Sequence, residues 1–170
     1  MLKLTLHNNL ESSWRRVRKL GTELVGYDRF VTQPGDHLEA HDDAVMIVDN
    51  SGFMSEVGTH TADHFGGIWF NSHLGILLGV TIHQNLQLFG MGYAPNWFWC
   101  LKSDDKGDDA PYPPSEPWRE ESDPTVVRVI DFPTDRFGPH IDALRLTVTP
   151  QSTHTSLDLN AIIGFRKRGG

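Results

Sequence analysis

Nine histidines stand out in this chain, and their spacing is where chemistry would first be sought. His37-Leu38-Glu39-Ala40-His41 puts two imidazoles and a carboxylate within five residues. On an extended segment alternate residues share a side, so His37, Glu39 and His41 would face one way. Imidazole nitrogens and carboxylate oxygens suit a transition metal such as zinc, iron or manganese. In a second group, His60-Thr61-Ala62-Asp63-His64, the two histidines would align on a helix. Gly66-Gly67 follows at once and argues for a loop instead. Asp104, Asp105, Asp108 and Asp109 flank Lys106-Gly107 and offer the oxygens calcium takes, without the spacing of an EF-hand. Each group reads more plainly as a solvated polar loop, so no metal or other cofactor is expected, with calcium or a transition metal as the alternative.

The aromatic residues give the stronger binding signal. Trp69, Tyr93, Asn96, Trp97 and Trp118 form the expected ligand-binding set, because indole and phenol rings take sugars or peptides while amides supply hydrogen bonds. Trp97 and Trp99 alternate with Phe98, so one face of that strand carries both indoles, and about half of the tryptophans must belong to the core. Trp118, between Pro117 and Arg119 in a long loop, is the one expected at the surface. Cys100 lies in the apolar run Trp97-Phe98-Trp99-Cys100-Leu101 and reads as a buried, inert thiol. There is no phosphate-cradling glycine loop, no dinucleotide fingerprint and no Gly-x-Ser-x-Gly elbow.

The bulk of the chain limits the alternatives. A length of 170 residues suits one domain spanning 1–170, with a core large enough to need no staples. The formal net charge of −7 works against binding to phosphate backbones. Two basic clusters, Arg15-Arg16 with Arg18-Lys19 and Arg166-Lys167-Arg168, read as a solvated face and a tail, so no nucleic-acid partner is expected. The single cysteine excludes an intrachain disulfide. Met1 to His7 lacks the apolar core of a signal peptide, and no apolar run approaches the ~20 residues of a membrane span. The expected location is cytosolic or intravirion.

The elements that must position these residues are mostly strands. Leu2, Leu4 and Leu6 alternate with polar neighbours, as do Ile76, Leu78, Val80 and Ile82. Ala44 to Val48 is a short continuous apolar run between turn signals. Leu157, Leu159, Ala161, Ile163 and Phe165 face one way, and each contributes roughly 1.5–3 kcal/mol when buried. The exception is Ser12-Ser13 followed by Trp14, Val17 and Leu20 and then Gly21, which predicts a short helix with a serine N-cap and a glycine after its end. Residues 103–124 hold five prolines and eight carboxylates and read as a long acidic, Pro-rich loop. The expected fold is mainly β, an antiparallel β-sandwich or jelly roll with one short helix near the N-terminus.

Within this pattern, Val126 to Pro133, Ile141 to Leu146 and Leu157 to Gly164 resemble the closing strands of galactose-binding-like (discoidin-type) β-sandwiches. There, a strand with an Arg-Leu-x-Val-type pattern precedes one reading acidic, apolar, small, apolar, apolar, Gly. Leu144-Arg145-Leu146-Thr147-Val148 and Asp158 to Gly164 fill those places, and Ile76 to Leu101 corresponds to the central hairpin. The resemblance covers about the C-terminal half. It implies a jelly roll whose loops at one end bind glycans, peptides or lipid head groups. The His37 segment, between Pro34-Gly35 and Asp43-Ala44-Val45, also resembles the first metal motif of cupins, with wider histidine spacing.

The expectation from these residues is a non-catalytic binding module that recognises a glycan or a protein partner through loop aromatics. The alternatives are a cupin-like metal-dependent enzyme using His37, Glu39 and His41, and a structural jelly-roll subunit that forms a homo-oligomer.

Overall fold

A computed structural model describes residues 1–20, 30–32, 35–49, 62–85, 95–103, 118–121, 123, 125–133, 137–153 and 156–169. Tyr93, His60 and most of the 103–124 loop lie outside them. The described residues form twelve strands: β1 Leu2–Asn8, β2 Trp14–Leu20, β3 Phe30–Thr32, β4 His37–Leu38, β5 Asp43–Val48, β6 Ala62–Asn71, β7 Ile76–Asn85, β8 Asn96–Ser103, β9 Arg119–Glu120, β10 Arg128–Pro133, β11 Ile141–Ser152 and β12 Leu157–Lys167. They assemble into two six-stranded sheets, ordered β10-β11-β12-β1-β5-β3 and β4-β2-β6-β7-β8-β9. Among the described residues no helix is long and apolar enough to cross a membrane.

The first sheet follows from period-two burial. Leu2, Leu4 and Leu6 of β1 turn inward, as do Leu144, Leu146 and Val148 of β11 and Leu157, Leu159, Ala161 and Ile163 of β12. They meet Trp69, Leu78, Val80, Ile82 and Trp97 of the second sheet in one hydrophobic cluster, so the fold is sandwich-like. The pairing is not wholly antiparallel as expected: β1 runs parallel to β12, with Leu4 beside Leu159, and antiparallel to β5. The first strand of the chain therefore lies inside its sheet.

The expected N-terminal helix is a strand instead. β2 pairs with β6, and a register shift between Arg16 and Arg18 marks a bulge at Val17. An extra residue in a strand lets an i, i+3 apolar spacing coexist with sheet pairing. Trp14 enters the main core, while Val17 packs on the opposite side of the sheet. Alternation also breaks up the basic cluster: Arg15 is exposed, whereas Arg16 is buried and bonds Asp36 at 2.8 Å.

The second sheet is buried on both faces. Ile68, Phe70, Leu77, Phe98, Cys100 and Trp118 form a separate cluster on its outer side. Trp118 is 6% exposed, which overturns the expectation that it stands free in the long loop. Its indole lies over Gly79, where an added Cβ would come within 2.6 Å of Trp118 Cη2 and 2.7 Å of Cys100 Sγ. Burial pushes the Cys100 thiol up to about 12, so it is not ionised at neutral pH. Gly66, taken with Gly67 as a sign of a loop, lies within β6, and only glycine fits there because a Cβ would sit 2.1 Å from the Val80 carbonyl oxygen.

The close seat of Trp118 predicts that Gly79→Ala destabilises the protein by about 2 kcal/mol through overpacking. Urea denaturation followed by tryptophan fluorescence measures it. An unchanged midpoint would mean that Trp118 does not need this gap.

Candidate functional site

Two asparagines with no solvent access build one end of the molecule. Asn8 closes β1. Its side-chain amide donates to the backbone oxygens of Ser12 at 2.8 Å, Glu39 at 3.0 Å and Leu38 at 3.5 Å. Its Oδ1 accepts from the Leu10 amide at 3.1 Å and the Trp14 indole at 3.2 Å. The Asn8 backbone donates to the Asp42 carbonyl and accepts from the His41 amide, whose residue holds a left-handed φ of 60°. Asn71 closes β6. It donates to Ser12 Oγ at 2.9 Å, and its Oδ1 accepts from the Leu74 amide at 3.0 Å. Ser12 is thus held by both amides, which fixes the β1–β2 loop against the β6–β7 turn.

These two segments form one side of a groove of about 780 Å³. Glu11, Ser12 and Ser13 come from the β1–β2 loop, and Ser72, His73 and Leu74 from the β6–β7 turn. Phe137 and Ile141 before and within β11, and Phe165 near the end of β12, supply the rest. The two phenyl rings lie 5.2 Å apart between centroids at 47°. Phe165 was expected in the core with its four inward partners. It continues their alternation but is 37% exposed and lines the groove.

The polar groups here are largely uncommitted. Glu11 Oε1 accepts from His41 Nε2 at 2.7 Å. Among the described residues, the side chains of Ser13, Ser72 and His73 make no hydrogen bond, and no serine–histidine pair of the kind that activates a nucleophile is formed. The arrangement offers donors and acceptors beside an apolar patch, at a volume typical of ligand pockets.

The residues singled out from sequence lie elsewhere. Trp69 and Trp97 are 1% and 0% exposed in the main core, and Trp118 belongs to the outer cluster, so none presents a ring to solvent. A sandwich interior needs large apolar side chains, and these indoles fill it. Asn96 begins β8 and donates to Glu120 at 2.9 Å. Tyr93 lies outside the described residues. His37 sits on a strand of only two residues, so Glu39 and His41 do not continue its alternation and His41 is drawn to Glu11. Among the described residues no three of histidine, cysteine, aspartate and glutamate converge as a metal site requires. The signals that mark the groove were Asn8-Asn9 after an alternating run and Asn71-Ser72-His73 between two apolar runs, both of which also read as ordinary turns.

The sequence matches no protein-family model and no curated protein.

Removing the Asn8 amide would strand several buried partners at once. Asn8→Ala is expected to cost about 3 kcal/mol, since each unsatisfied buried group costs roughly 1–3 kcal/mol. The urea midpoint reports it. A loss below ~0.5 kcal/mol would mean water replaces the amide without cost.

Proposed function

We propose that this chain is a non-catalytic binding module that takes an exposed segment of a protein partner into the end groove. The observation that carries the reading is the groove itself: two buried amides fix its polar side, and its far side is a phenylalanine pair left partly open. Buried hydrogen-bonded networks specify a unique local structure, and a fixed polar side costs a ligand less ordering. Leu74 and Ile141 add aliphatic lining beside the two rings, which suits the apolar side chains of a peptide.

The resemblance to galactose-binding-like domains supports a ligand site at one end of the sandwich. The jelly-roll part of the reading draws on the way β1 to β6 fall alternately in the two sheets. The aromatics that matter in this reading are Phe137 and Phe165 in place of the tryptophans.

Selection from a displayed peptide library, with a glycan array in parallel, tests this. Peptides should be enriched, and Phe165→Ala should weaken them by about tenfold, as removal of an aromatic anchor does, at an unchanged urea midpoint. Peptides that bind the variant equally well would place the site elsewhere. Capture of glycans alone would remove the protein partner.

One observation favours a second reading, an assembly subunit. β10 ends its sheet, and Val127 and Val129 stand 53% and 51% exposed, with Ile162 of β12 in the same cross-strand row as Val129 at 42%. Apolar residues on a terminal strand invite pairing with another chain. Sedimentation would then show a dimer or larger species that Val129→Lys dissociates, and a strict monomer at micromolar concentration would exclude it.

A further inference from the structure

We infer that the end groove selects an organic cation, the guanidinium or ammonium head of an arginine or lysine side chain. The inference rests on the binding-module reading and adds the chemistry of the anchor. Among the described residues, Glu11 is the only carboxylate lining the groove, and no lysine or arginine lines it. One Glu11 oxygen accepts from His41, and the other has no partner among the described residues. Phe137 and Phe165 also line the groove as a tilted pair, and an aromatic π face, through its negative quadrupole, attracts cations.

Among the described residues, two neighbouring basic side chains are engaged elsewhere. Arg166, next to Phe165 in sequence, is held by Asp131 at 3.3 Å and Asp142 at 3.5 Å. Arg168 donates to the Pro139 carbonyl at 2.9 Å. Leu74 and Ile141 supply apolar surface for the methylene stem that both cationic side chains carry below the charged head. Ser13, Ser72 and His73 leave acceptors for the remaining N–H donors. The formal net charge of −7 adds long-range attraction for a basic partner.

The test uses three capped amino acids as probes: Nα-acetyl-arginine methylamide, its lysine counterpart, and its citrulline counterpart, which keeps the arginine shape without the charge. NMR titration of the whole chain follows the ring signals of Phe137, Phe165 and His73. The arginine and lysine probes should shift these signals and the citrulline probe should bind about threefold more weakly, the effect expected of an exposed carboxylate. Glu11→Gln should shrink that ratio, and so should added salt. Equal affinity for arginine and citrulline would overturn the cation preference while leaving the groove a binding site. Shifts confined to residues outside the groove would also overturn it. If none of the probes moves the ring signals, the cation preference falls, and the peptide selection on the Phe165→Ala variant decides the wider reading independently.

Discussion

The end of β1 is governed by one constraint: a polar side chain taken wholly out of water must find all its partners inside the protein. Asn8 finds them in two stretches, the nearby Leu10 to Trp14 and the distant Leu38 to Asp42, the latter through both its side chain and its main chain. A neutral amide with two donors and one acceptor can join chain segments that no apolar contact would hold in register. The geometry it fixes includes the left-handed backbone of His41, a conformation uncommon outside glycine. Asn71 repeats the arrangement from the other sheet and meets the first network at Ser12. The groove is what remains between these two fixed loops and the strand ends opposite.

The two sheets differ in what covers them. The first buries its inward row and leaves Val129 and Ile162 to solvent on the other side. The second is apolar on both faces, and its central hairpin carries Leu77 outward and Leu78 inward with no access to water on either side. That demand accounts for the tryptophans. Trp69 and Trp97 fill the space between the sheets, and Trp118 fills the hollow that Gly79 leaves over Cys100. Trp99 spends its indole N–H on Glu121, which in turn pairs with Arg128 and ties the edges of the two sheets together. An aromatic residue that closes a core has no face left for a ligand, whereas Phe165 stays partly open at the groove.

That division of labour links packing to the proposed activity. A rigid interior supports a groove whose polar groups are positioned and yet uncommitted. Such a site can exchange water for a ligand's polar groups without first breaking internal bonds. The phenylalanine pair adds an apolar surface that water leaves favourably.

Much of the fold was legible along the chain because strand burial has a period of two. Leu2, Leu4 and Leu6, the Leu157 to Ile163 series and the Ile76 to Ile82 series all bury the face their alternation specifies. Cys100 in its apolar run was legible for the same reason. Three things were decided only in three dimensions. β2 reads as a helix locally, and pairing with β6 through a bulge overrides that spacing. The parallel pairing of β1 with β12 joins the two ends of the chain, and no local pattern encodes a partner that distant. The groove arises where loops from separate sheets meet at two buried amides. Alternation reports which side of a strand is apolar, but it says nothing of which asparagine will be enclosed, because enclosure belongs to the neighbours and not to the residue.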